Sequence, residues 1–293
     1  MLAFGGDVHF DGVSRLRASG GLGSAFGAIA DADAGFVNLE TAVTERGSAG
    51  PKQYTFRAPA SAMVALRSAG VDAVNLANNH GEDYGQQGLA DTFAAGSAAG
   101  LPIIGAGRNL TAALTPWRGE LNGIRVAVLG ATDVLDSFAT TTWPATATRP
   151  GLASAKDEAP LLAAVRSERA RSDVVVVFLH WGQERVVCPT NRQEELAADL
   201  AGAGTSLVVG SHAHVVQPER RVDGIPVFFG LGNFRFYASG GSGAVTGVAT
   251  ATVGPRGVVS TGWVPGRISA GQPELLSGSA ARSASASFSA LCR

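Results

Sequence analysis

Short apolar, β-branched runs alternate along this chain with Ala/Leu-rich amphipathic stretches, and that alternation constrains the fold more than any other feature. The runs Leu2 to Val8, Gly35 to Leu39, Val71 to Leu76, Leu101 to Ile104, Ile124 to Leu129, Val174 to Leu179, Leu207 to Val209 and Ile225 to Phe229 read as buried strands. Between them, Ser61 to Ala69, Gln86 to Ala99, Asp157 to Arg171 and Asn191 to Ala203 read as helices, so the chain is expected to form a layered α/β domain. Thr140 to Gly151, aperiodic and with prolines at 144 and 150, reads as a long surface loop. Val245 to Val253 and Gly257 to Trp263 read as a hairpin that completes a sheet. The Ser/Ala-rich stretch Ser277 to Ala290 is expected to be poorly ordered. This division gives one domain over residues 1–270 and a C-terminal tail over 271–293.

Composition excludes several function classes. With 45% apolar and 16% charged residues in 293, the chain is an ordinary globular one, and a net charge of −1 leaves no electrostatic footprint for nucleic acid. No apolar run approaches the roughly 18 residues of a membrane span; the longest candidate is Val174 to Leu179. Met1 to Phe4 lead straight into a strand with no room for a signal peptide, so the chain as given is cytoplasmic unless an export segment was removed. Cys188 and Cys292 lack any metal-ligand spacing. They are either two unrelated thiols or a disulfide tying the C-terminal tail to the body, and the second reading argues for an oxidising compartment.

The chemistry-bearing residues sit where the runs end. Asp7 and His9 lie at the end of the first run, Asn38 and Glu40 at that of the second, Asn78, Asn79 and His80 just past the third, His180 past the sixth, and His212 and His214 past the seventh. Ligands collect at the carboxyl ends of strands in α/β sheets. Each piece alone is weak, since a lone His on an apolar strand is more often a hydrogen-bonded core residue. The chain has only five histidines, however, and all five fall at strand ends beside another metal-capable residue. Imidazole, carboxylate and amide oxygen without thiolate suit Mn²⁺, Fe or Zn²⁺. Such a set suffices for two divalent ions sharing a carboxylate, with one histidine left for proton transfer.

The order Gly-Asp-x-His, Asn-Leu-Glu, Asn-Asn-His-Gly-Glu-Asp-Tyr-Gly, His-Trp-Gly, Gly-Ser-His-Ala-His and Gly-Leu-Gly-Asn-Phe, spread from Leu2 to Phe236, resembles the CapA (PgsA) capsule and poly-γ-glutamate synthesis family of calcineurin-like metallophosphoesterases. The resemblance implies a four-layer α/β/β/α sandwich. It implies further that Asp7, His9 and His214 hold one ion, that Asn79, His180 and His212 hold the other, and that Glu40 bridges them where the superfamily more often has Asp. His80 stands where the superfamily's catalytic histidine does, with Asp83 placed to orient it. Lys52 and Arg57, in Pro-Lys-Gln-Tyr-Thr-Phe-Arg, and Glu184 and Arg185, just beyond His-Trp-Gly, are candidates for contacting an anionic small-molecule or polymeric substrate. Asn233 is expected to support ligands, and Trp181 either walls the site or packs in the core. Three functions stay open: a dinuclear phosphoesterase, a hydrolase or transferase acting on a γ-glutamyl amide, and a non-catalytic assembly or export factor working with capsule synthesis machinery. The family places the protein at the cell envelope.

Overall fold

A computed structural model describes residues 1–15, 21–238 and 240–292. An eight-stranded sheet has Leu2–Val8 at its centre, with Ala34–Leu39, Ala73–Asn75 and Ile103–Ile104 parallel to it on one side. On the other side the antiparallel hairpin Val245–Gly254 and Gly257–Ser269 is followed by the edge strand Gln272–Leu275, while Asn233–Arg235 runs alongside the end of the first strand. A six-stranded sheet has Ile124–Thr132, Val174–His180, Leu207–Ser211 and Ile225–Phe228 parallel, with antiparallel edges Trp117–Leu121 and Glu219–Val222.

Strand alternation generates four layers. Val174, Val176 and Phe178 pack with Leu2, Phe4 and Phe36 between the sheets, whereas Val175, Val177 and Leu179 face Leu161, Val165, Leu196 and Leu200 of the helices Ala159–Arg169 and Asn191–Ala203. The outer face of the large sheet packs Val37 and Val74 on Phe26, Met63, Leu66 and Leu89 of its own helices. The architecture is thus the expected α/β/β/α sandwich, and its helices end where their sequences direct. Asn191–Ala203, for example, starts in a Thr190/Gln193 capping box and stops at Gly204, whose φ of 103° suits glycine.

Three local expectations differ from what forms. Thr140 to Gly151 is not purely a surface loop: Trp143 and Ala145 are buried, and Arg149 donates to the carbonyls of Thr141 and Pro144 to close it. The Ser/Ala-rich stretch is the helix Gly278–Ser289, held by Phe288 stacking on Trp263 at 4.7 Å between ring centroids. Alanine supplies helix propensity there, and the aromatic contact supplies what isolated Ser/Ala sequence lacks. Arg293, the last residue of the expected 271–293 tail, lies outside the described residues. Finally, Cys188 and Cys292 are disulfide-bonded, fastening this helix to the loop after His180, so they are not unrelated thiols. No helix among the described residues is long and apolar enough to cross a membrane.

Candidate metal centre

A bulge aims the first site residue. Leu2 and Phe4 face the inter-sheet layer and Ala3 the helices, so unbroken alternation would send Asp7 to the helix side. The register against the second strand instead slips between Gly5 and Asp7, leaving Asp7 opposite Asn38 and turning Val8 to the helices. Glycine is required at the slip, because a Cβ on Gly6 would lie 1.9 Å from the carbonyl of Gly232. That carbonyl accepts the Asp7 N–H at 3.0 Å, which ties the Gly-Gly-Asp motif to the Gly-Leu-Gly-Asn-Phe motif. On the second strand Asn38 and Glu40 keep the parity of Ala34 and Phe36, and on the sixth-strand run His180 keeps that of Phe178.

The strand ends converge on Glu40, which is fully buried. Its Oε1 lies 3.6 Å from His180 Nε2, 3.7 Å from His214 Nε2 and 3.9 Å from His80 Nε2. Glu40, His212 and His214 present ligand atoms all within 4.8 Å of one another. Asp7 Oδ2 accepts the His212 N–H at 3.1 Å and lies 3.4 Å from His214 Nδ1, and its Oδ1 accepts from Asn38 Nδ2 at 2.9 Å. Asn79 Oδ1 and His180 Nε2 approach within 2.8 Å. His212 and His214 have φ of 91° and 55°, strained for residues with a Cβ and held there by the surrounding contacts. Behind the candidate ligands, Asn38 bridges Asp7 and His180 while accepting from Asn75 at 3.1 Å, and Asn233 Oδ1 lies 2.9 Å from His214 Nδ1.

Buried polar atoms here lack the partners that burial demands. Both carboxylate oxygens of Glu40, His9 Nε2 and His212 Nδ1 have no hydrogen-bond partner. Burial, reinforced by Asp7, pushes the Glu40 carboxyl well above its ordinary range. Burial also holds His9, His180 and His212 well below theirs, leaving neutral rings of the kind that ligate metals. At His214 burial acts in the same direction, but Glu40 and then Asp7 outweigh it and hold the ring at about 10. The His214 ring, with Nε2 3.7 Å from Glu40 Oε1 and Nδ1 3.4 Å from Asp7 Oδ2, faces the two carboxyl groups that would accept a divalent cation. The donor set fits a metal pair, with Glu40 reaching one histidine from each expected set. His9 fits less directly. Its Nδ1 accepts the Asp11 N–H at 3.0 Å, so the neutral ring carries its proton on Nε2, and ligation through that atom requires the contact to shift.

The remaining candidates fall into two groups. His80 Nδ1 lies 2.7 Å from Asp83 Oδ2, which also accepts the Phe56 N–H at 2.7 Å. Lys52 sits behind this pair, its side chain 9% exposed, with Asp83 and Asp136 on its ammonium. Arg57, Glu184 and Arg185 are exposed, and the Arg57 guanidinium lies 5.2 Å from the Tyr84 ring centroid. Trp181 is buried, stacked on Phe229 and donating to its carbonyl at 2.7 Å, so it belongs to the core. Sequence reasoning misses an aromatic wall: Phe56, Phe236 and Tyr237 surround the His9 ring at centroid distances of 4.7, 4.0 and 4.7 Å. Phe236 and Tyr237 follow Gly-Leu-Gly-Asn-Phe after one intervening residue, Arg235, and that proximity is the only signal for them in the sequence.

Comparison with known proteins identifies the family and the fold. The chain is 36% identical over 172 residues to the PGA biosynthesis protein CapA of Bacillus subtilis (strain 168), covering 58% of this chain and 44% of that one. It is 39% identical over 176 residues to the capsule biosynthesis protein CapA of Bacillus anthracis, covering 59% and 42%. A probable polyglutamine synthesis accessory protein of Mycobacterium tuberculosis is 30% identical over 208 residues, covering 69% and 55%. The chain thus spans about half the length of the curated relatives it matches. Among solved structures, a hypothetical protein from Thermus thermophilus superposes with a TM-score of 0.57 at 18% identity, covering 91% of this chain and 98% of that one. A putative 5'-nucleotidase from Staphylococcus aureus, in complex with alpha-ketoglutarate, does so with a TM-score of 0.53 at 15% identity, covering 98% and 58%. These likenesses establish the metallophosphoesterase-like fold. The family model for the bacterial capsule synthesis protein PGA_cap matches residues 1–238, and the chain belongs to that family.

Proposed function

We propose that this protein is a dinuclear metal-dependent hydrolase of phosphoesterase type that serves capsule polymer synthesis. The observation carrying the proposal is the convergence of His180 and His214 on the buried Glu40 carboxyl, whose two oxygens, like His212 Nδ1, have no hydrogen-bond partner among the described residues. In this reading Asp7, His9 and His214 hold one ion, Asn79, His180 and His212 the other, and Glu40 both. Two bound ions supply an activated water and charge stabilisation at the reacting centre. The chain's own residues do the rest. His80, 3.9 Å from Glu40 and backed by Asp83, stands beside the metal set, where it can protonate a leaving group. Arg57, Glu184 and Arg185 meet the substrate at the exposed rim, and the guanidinium groups suit an anionic ester. The capsule names of the relatives and the Cys188–Cys292 disulfide together support a place at the cell envelope.

The test is hydrolysis of a generic phosphodiester, a phosphomonoester and a γ-glutamyl amide with added Mn²⁺, by wild type and by His80→Ala. Ester turnover that falls about 10²- to 10⁴-fold in the variant is expected. Full activity in His80→Ala would remove the proton-transfer role, and turnover of the amide alone would replace ester by amide chemistry.

A further inference from the structure

We propose that Lys52, together with Asp136, is a positioning residue that holds Asp83 against His80, and that its ammonium does not contact substrate. The inference rests on the proton-transfer role assigned to His80 above. An ammonium has three N–H bonds, and three oxygens surround this one: Asp83 Oδ1 at 2.9 Å, Asp136 Oδ2 at 3.0 Å, and the backbone carbonyl of Asn79. The Asp83 contact is an ion pair whose angle lies outside hydrogen-bond geometry. The Trp143 ring covers the ammonium at 5.4 Å to its centroid. Two carboxylates, a carbonyl and the Trp143 ring thus crowd an ammonium whose charge is already compensated, which leaves little room for a substrate anion.

Asp83 needs this partner. Its side chain is fully buried, its Oδ2 is shared between the Phe56 N–H and His80 Nδ1, and its Oδ1 faces only Lys52 among the contacts that define its place. Removing one member of a buried ion pair leaves an uncompensated charge, which the structure relieves by moving. The segment bearing Lys52 grips the His80 turn at further points. Gly50 N–H donates to the Asp83 carbonyl at 2.8 Å, and the Phe56 ring lies 4.3 Å from that of His80. Asp136 lies beyond the end of Ile124–Thr132 in the other sheet, so the brace links segments that follow strands of both sheets. Because Lys52 also binds the Asn79 carbonyl, one side chain sets both the proton-transfer pair and the backbone of a proposed ligand.

The experiment uses the full chain, loaded with Mn²⁺, as wild type, Lys52→Met, Lys52→Arg and Asp136→Asn. It measures kcat and KM on the phosphodiester with Mn²⁺ and, on the same proteins reloaded with diamagnetic Zn²⁺, the low-field proton resonance of the His80 Nδ1–H to Asp83 hydrogen bond. Lys52→Met is expected to lower kcat about 10- to 100-fold. Its KM should stay within about threefold, because no ground-state contact to substrate is removed. The low-field resonance should be lost in Lys52→Met and kept in Lys52→Arg, which should recover most of kcat. Asp136→Asn should show a smaller loss of the same kind, and it carries the test if Lys52→Met does not fold. A raised KM with kcat unchanged would make Lys52 a substrate contact and overturn the proposal, as would a Lys52→Met protein with wild-type kcat and an intact resonance. If wild type turns over no ester, the hydrolase reading fails, while the resonance in wild type and Lys52→Met still decides whether Lys52 positions His80.

Discussion

The parallel strands present opposite chemistry at their two ends. At the amino ends, acidic residues are partly exposed and paired. Asp173, just before Val174–His180, accepts from the Arg125 guanidinium at 2.8 Å and from its backbone N–H, which hold its carboxyl down at about 2. Asp72, just before Ala73–Asn75, accepts from Arg67 and from the Gly35 N–H, each at 2.9 Å. At the carboxyl ends Asp7 and Glu40 are buried, and neither forms an ion pair with Arg or Lys among the described residues; their neighbours are imidazoles. Nearby Glu82 is likewise buried, and burial pushes its carboxyl up to about 8. Ion pairing compensates the acidic residues at one end, whereas at the other the carboxyl oxygens of Glu40 are buried without a hydrogen-bond partner among the described residues.

Breaking this contrast gives graded outcomes. The largest effect is expected at Glu40. Glu40→Gln removes a buried carboxylate without changing its shape, so the metal-free protein should become more stable by about 1–3 kcal/mol. The same variant should lose the stabilisation that Mn²⁺ confers on wild type by binding the folded state. Melting curves with and without Mn²⁺ check both parts, and a destabilised metal-free variant would mean that Glu40 is held by contacts of its own. The smallest effect is expected at the other end. Arg125→Ala breaks an exposed pair, which contributes little, so melting temperature should be nearly unchanged and metal content and turnover fully so. A loss of activity there would show that the two ends are coupled.

Much of this organisation is legible in the sequence, for physical reasons. Val174–His180 and Leu207–Ser211 are unmistakable because strands buried on both faces need unbroken apolar runs, and the polar residues that end those runs then stand out. The edge strand Trp117–Leu121 escapes notice because its exposed face is polar and its pairing partner lies beyond a turn. The Gly5–Gly6 slip that aims Asp7 is invisible to periodicity, since it depends on the approach of Gly232 from far along the chain. The engagement of Lys52 is hidden for the same reason: Asp136 lies 84 residues away. The order of motifs reveals which side chains gather, but their long-range partners emerge only from packing.

The most direct measurement is metal content by elemental analysis of the purified protein after loading with a divalent ion, beside Glu40→Gln treated in the same way. The expected result is about two ions per wild-type chain, sharing one carboxylate, and a clear deficit in the variant. A wild-type chain that retains no metal under any loading condition would contradict the dinuclear centre.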